Sequence, residues 1–102
     1  MQEKTWTFYV AGVQHHKLKT VIDKLSINDR LLLVPEPTNK YDCNAVKITY
    51  NGFMLGYVPA KFSPEVTAEF SLVDVLICEI TDLQPTKKPW EQLKVTIRAD
   101  NN

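Results

Sequence analysis

The sequence has no excess of charge of either sign: 12 Lys and Arg stand against 12 Asp and Glu in 102 residues. That excludes a small basic protein that coats nucleic acid through its overall charge, so any anion must be held by a local cluster. Cysteine is scarce. Cys43 and Cys78 cannot form a disulfide framework, and their spacing fits no zinc or redox motif. Cys78 lies inside an apolar run and reads as a small buried hydrophobe. No apolar run approaches the ~18 residues that a membrane helix requires. The opening MQEKTWTFYV lacks the charged-then-apolar order of a signal peptide. The expectation is a soluble, reduced, cytoplasmic protein with no membrane partner. Also missing are a nucleophile elbow, a P-loop, an H-E-x-x-H pair and a Gly-rich phosphate cradle. No serine or cysteine is visibly paired with a base. The chain therefore reads as a binding domain, not an enzyme, and nothing in it calls for a cofactor.

What is present is ordinary globular composition, 44% apolar and 24% charged, which argues against disorder. At this length the whole chain, 1–102, reads as a single domain. Trp6 to Val13 is a strand pattern with apolar residues on both faces, ended by Gly12, so it is expected to be buried on both sides or curled. Leu18, Val21, Ile22 and Leu25 fall at i, i+3, i+4 and i+7 and predict a short helix over Lys17 to Leu25. Arg30 to Glu36 reads as a strand closed by Pro35 and Pro37, and Pro37 to Asp42 as an ordered loop. Asn51-Gly52, between two strand patterns, predicts a two-residue hairpin. That register sets Tyr50 opposite Phe53, Ile48 opposite Leu55 and Val46 opposite Tyr57, all on the core face, with Lys47 opposite Gly56 behind them. Ser63-Pro64-Glu65 opens a second helix running to about Phe70, with a hydroxyl cap and an early proline. Val73 to Ile80 reads as a central strand. Leu93, Val95, Ile97 and Ala99 alternate with polar residues in a half-exposed strand. About six strands and two short helices in so small a domain predict a mainly β fold, a partly open barrel of OB-like or SH3-like type. The alternative is an α+β sandwich.

Four clusters carry chemistry. His15-His16, on a loop before the first helix, joins Cys43 as a weak metal-ligand set, since structural zinc needs about four converging ligands. The same rings suit stacking on bases or, protonated, donation to phosphate. Asn39-Lys40-Tyr41-Asp42-Cys43-Asn44 is rich in Asx residues that bond neighbouring backbone and stiffen a loop. A rigid loop with an aromatic, a carboxylate and a lysine suits a ligand with a flat ring, a hydroxyl and a phosphate. The hairpin register brings Lys61 towards Asp42, where it either bridges to the carboxylate or binds phosphate. Lys87-Lys88-Pro89-Trp90 mixes cation and indole, as a single-strand contact or a hairpin loop does. Each cluster also has an ordinary structural explanation, as a capped connection or a solvated loop.

Together these segments resemble the HIRAN domain family over about residues 6–100. Val10 to His16 is similar to its opening strand, Val34 to Ile48 to its central block with N-x-Y-D-x-N-A-[IV] after E-P, and NGFMLGYVP to its third block. The best understood members sit in helicase-like fork-remodelling translocases, where an OB-like barrel captures a single-stranded DNA 3′ end. By position, the resemblance implies that Tyr41 stacks on the terminal base and Asp42 accepts from the 3′-hydroxyl. It puts His15 where another stacking aromatic stands and Lys61 where a basic residue meets phosphate. Gln14 replaces an arginine that grips phosphate, His15 and His16 replace tyrosines, and Lys40 replaces a frequent proline. The implied protein is a free-standing, bacterial-type HIRAN-like domain. It would bind single-stranded DNA ends through Gln14, His15, His16, Asn39, Lys40, Tyr41, Asp42 and Lys61, in repair or fork processing, beside a helicase or nuclease. The competing expectation is a protein-interaction scaffold that has kept the barrel and lost the pocket.

Overall fold

Alternation of apolar and polar residues produces most of the architecture. The computed structural model describes residues 4–72 and 75–100. Its strands are β1 (Thr5–Tyr9), β2 (Arg30–Pro35), β3 (Val46–Tyr50), β4 (Phe53–Tyr57), β5 (Val75–Leu83) and β6 (Leu93–Asp100), and its helices are α1 (Leu18–Val21) and α2 (Ser63–Glu69). One six-stranded antiparallel sheet runs β1-β6-β5-β2-β3-β4. It curls until its two ends meet at Ala11 and Tyr57, which exchange two backbone hydrogen bonds of 2.9 Å. The result is the partly open barrel, and the α+β sandwich is set aside. Leu93, Val95, Ile97 and Ala99 all face the core, as their alternation predicts. Loss of the Ile97 side chain to alanine would cost about 2–5 kcal/mol.

The meeting point depends on Gly56. A β-carbon there would lie 2.4 Å from the carbonyl oxygen of Ala11 and 2.7 Å from a Val10 methyl, so only glycine admits the contact. Helix α2 packs against the barrel. Val66 is fully buried, and the Phe62 ring stacks on Phe8 at 5.8 Å. Glu69 pairs with Lys4 at 2.7 Å and Glu65 accepts from the Trp6 indole at 3.4 Å, so both ends of the helix are tied to β1 and the residue before it.

Several expectations change. The first strand ends at Tyr9 and only one face is buried; Trp6 and Phe8 point inward, Thr5, Thr7 and Tyr9 outward. The chain then bends towards Tyr57, so the curl is present and the two-sided burial is not. The first helix gives way after Val21 to a 3-10 turn, Ile22–Lys24, where the β-branched run Thr20-Val21-Ile22 weakens helix propensity. The Asn51-Gly52 turn forms with both φ angles positive and sets Tyr50 opposite Phe53. A bulge then shifts the pairing, so Ile48 faces Gly56 and Lys47 faces Tyr57. The extra residue keeps Leu55 in the core, delivers Gly56 to Ala11 and turns Tyr57 away from the core face it was expected to share. Ser63 is the first residue of α2, after Phe62 as the capping residue, and makes no capping bond. Of the central strand expected over Val73 to Ile80, positions 73 and 74 lie outside the described residues, and Val75 onward is β5, flanked by β6 and β2.

Candidate nucleic-acid interface

The loop from Glu36 to Ala45 is organised by its own short side chains. Asn39 Oδ1 accepts from the backbone N–H of Tyr41 at 2.8 Å and of Asp42 at 3.0 Å, a turn that a short amide or carboxylate side chain makes readily. Its Nδ2 donates to Glu36 Oε1 at 2.7 Å. Asp42 Oδ1 accepts from the Asn44 N–H at 2.9 Å, and Oδ2 from the Ser63 hydroxyl at 2.7 Å. Glu36 and Ala45 close the loop's base with a 2.8 Å backbone bond. The rigid frame leaves Tyr41 outside: its side chain is 96% exposed, an aromatic face with nothing packed over it.

Beside this loop lies a cavity of about 290 Å³. Ala11, Ala45, Val58 and Ala60 line it with small apolar side chains, Tyr57 and Asn39 are part of its wall, and Tyr41 and Asp42 complete it. It sits where the two ends of the sheet meet. The small residues provide space, the ring at position 41 a surface for stacking, and the carboxylate an acceptor for a hydroxyl.

A polar network backs the wall. The Tyr57 hydroxyl donates to Glu36 Oε1 at 2.8 Å. Hydrogen bonds from Asn39 and then Tyr57 hold the Glu36 carboxyl below the usual carboxylate range, and the bond to Glu36 pushes the Tyr57 phenol up. Lys47 stands 4.0 Å from the second Glu36 oxygen. The His16 ring meets Tyr57 edge-on at 5.7 Å. Burial, then its neighbour His15, lower the His16 pKa against an opposing pull from Glu36, which favours the uncharged ring.

The structure thus brings Asn39, Tyr41 and Asp42 together at one cavity, with His16 behind Tyr57. His15 and Lys40 are exposed and do not line it. Gln14 and His16 border a second cavity, of about 430 Å³, with Leu18, Pro85 and Pro89. Lys61 does not bridge to Asp42: its ammonium lies 5.0 Å from the centre of the Phe62 ring, and among the described residues it forms no ion pair. The carboxylate takes the hydroxyl of Ser63, the first residue of α2, instead. His15, His16 and Cys43 do not converge; among the described residues no three His, Cys, Asp or Glu side chains form a metal-binding group. Trp90 stays 55% exposed beneath the Lys88 ammonium rather than packing into its loop. Sequence reasoning missed Glu36, Tyr57 and Ser63 as site residues. The Glu36–Asn39 spacing was readable as a turn contact, whereas Tyr57 was hidden by the bulge and Ser63 by its resemblance to a helix cap.

A family model described as the HIRAN domain matches residues 4–99. The chain is similar to the crystal structure of the HIRAN domain of human HLTF, with a TM-score of 0.72 at 15% identity over 93% of this chain and 74% of that one. It is also similar to the crystal structure of a protein from Lactobacillus plantarum, with a TM-score of 0.78 at 20% identity over 96% of this chain and 97% of that one. At such identities the likeness is one of fold. No curated protein matches the chain.

Proposed function

The chain belongs to the HIRAN domain family, whose members are in general DNA-binding, non-catalytic modules of OB-like fold, and we propose that it binds single-stranded DNA by the 3′ end. The observation that supports this reading is the exposed Tyr41 ring standing beside the fixed Asp42 carboxylate at one small-walled cavity. The terminal base stacks on Tyr41 and the terminal sugar enters the cavity. Its 3′-hydroxyl donates to Asp42, which as a carboxylate accepts hydrogen bonds and repels a terminal phosphate. Asn39 holds both residues through their backbone N–H groups. Gln14, His15, His16, Lys40 and Lys61 meet the nucleotides on the 5′ side of the terminal one, with His16 contributing a ring. The module serves DNA repair or fork processing, beside a helicase or nuclease.

The test is a fluorescence titration with a short single strand bearing a free 3′-hydroxyl. Asp42→Ala is expected to weaken binding by about 1–3 kcal/mol, the cost of losing a hydrogen bond to a charged group. Tyr41→Ala is expected to lose about 1–3 kcal/mol of base stacking. Full affinity in both variants would refute the reading and favour a scaffold that has kept the barrel without its pocket.

A further inference from the structure

We propose that Ser63 is a positioning residue of the end site, its buried hydroxyl fixing one oxygen of Asp42 and thereby setting the preference for a free 3′-hydroxyl over a phosphorylated end. The proposal rests on the end-binding reading of the cavity and goes beyond it by assigning the origin of its selectivity.

Ser63-Pro64-Glu65 has the form of a helix start, yet Ser63 caps nothing. Its Oγ turns to the neighbouring loop, 2.7 Å from Asp42 Oδ2 and 3.2 Å from the Ala60 carbonyl oxygen. A hydroxyl has one proton, and the closer, charged acceptor is the stronger partner. Ser63 is 0% exposed, so water does not compete for it. One turn further along α2, Thr67 donates to the Asn44 carbonyl at 2.7 Å. Positions i and i+4 share a helix face, so α2 grips the loop on both sides of Cys43. The helix is itself anchored through Glu69 to Lys4 and Glu65 to Trp6. The orientation of the carboxylate is thus set by an element that is tied to the barrel and lies 21 residues away in sequence.

With Oδ1 on the Asn44 N–H and Oδ2 on Ser63, the Asp42 carboxylate cannot rotate. Its remaining lone pairs are presented in fixed directions, which favours a hydroxyl donor. Its charge cannot swing away from a terminal phosphate. Without Ser63 the carboxylate turns about its soft terminal torsion, accepting the hydroxyl less well and repelling the phosphate less.

The experiment measures the ratio of affinities for matched strands ending in 3′-hydroxyl and in 3′-phosphate. Ser63→Ala is expected to lower that ratio about three- to tenfold, in line with one hydrogen bond. Ser63→Cys, a weaker donor of similar shape, is expected to fall between it and wild type. The double variant with Asp42→Ala should match Asp42→Ala alone, because Ser63 acts through that carboxylate. Thr67→Val is the comparator. It releases the loop's other tether, so it should lower the melting temperature and leave the ratio intact; a merely structural Ser63 would make Ser63→Ala behave in the same way. If Asp42→Ala abolishes the preference while Ser63→Ala and Ser63→Cys keep it, the proposal fails and end binding stands. If Asp42→Ala keeps the preference, both fall.

Discussion

At the scale of single residues, the site is built from groups whose states differ from their ordinary ones for identifiable reasons. His16 has a lowered pKa, first from burial and then from His15. A folded-state pKa below the unfolded one means that the neutral ring contributes stability that is fully present above the ordinary imidazole value of 6.5 and is lost as pH falls through the lowered folded value. Urea midpoints measured downward from neutral pH should therefore decline across this window in wild type, and His16→Gln should flatten the decline. An equal slope in the variant would remove His16 from the account. The two thiols separate just as clearly. Burial, with Glu79 behind it, pushes the Cys78 thiol up to about 12, whereas Cys43 is exposed on the loop between Asp42 and Asn44. Alkylation of the native protein should modify Cys43 and spare Cys78, both reacting in denaturant. A bound strand should slow the reaction at Cys43, and an unchanged rate would mean that the ligand lies elsewhere. Asn39, Tyr41 and Asp42 were readable from the sequence because their bonds span two or three positions. Ser63 and Tyr57 were not, since each meets its partner across 21 residues.

At the scale of elements, the decisive feature is where the ends of the sheet touch. Alternation made β6 legible, and the Asn51-Gly52 turn fixed the start of the β3–β4 pairing. Nothing local announced the bulge between Ile48 and Thr49, because it answers a distant need, the approach of Ala11 to Gly56. That shift moves Tyr57 from the core into the network with Glu36, so an error of one residue in register conceals a member of the site. Gly56→Ala should destabilise the fold by about 1–3 kcal/mol through overpacking against Ala11 and Val10. Because Ala11, Tyr57 and Val58 line the cavity, it should weaken strand binding as well. Chemical denaturation and titration of the same preparation check both, and an unaffected midpoint would contradict the tight closure. Helix α2 shows a second limit. The Ser-Pro-Glu signal placed the helix correctly and misassigned its serine, because local capping and a tertiary bond to Asp42 make use of the same hydroxyl.

At the scale of the whole molecule, zero net charge and the small cavity beside Tyr41 and Asp42 point the same way. A neutral protein does not hold a long strand by bulk attraction, and several of its cations are occupied: Lys4 with Glu69, Arg98 with Glu79, and Lys47 near Glu36. Capture of an end should neutralise about one to three phosphates, giving a slope of log affinity on log salt of roughly −0.7 to −2. A much steeper slope would require an extended basic surface. End capture, as proposed, requires the protein to recognise an end and not a length of strand. The most direct measurement is competition for the protein between a linear single strand with a free 3′-hydroxyl and the same sequence closed into a circle. The linear strand should compete and the circle should not. Equal competition by the circle would contradict it.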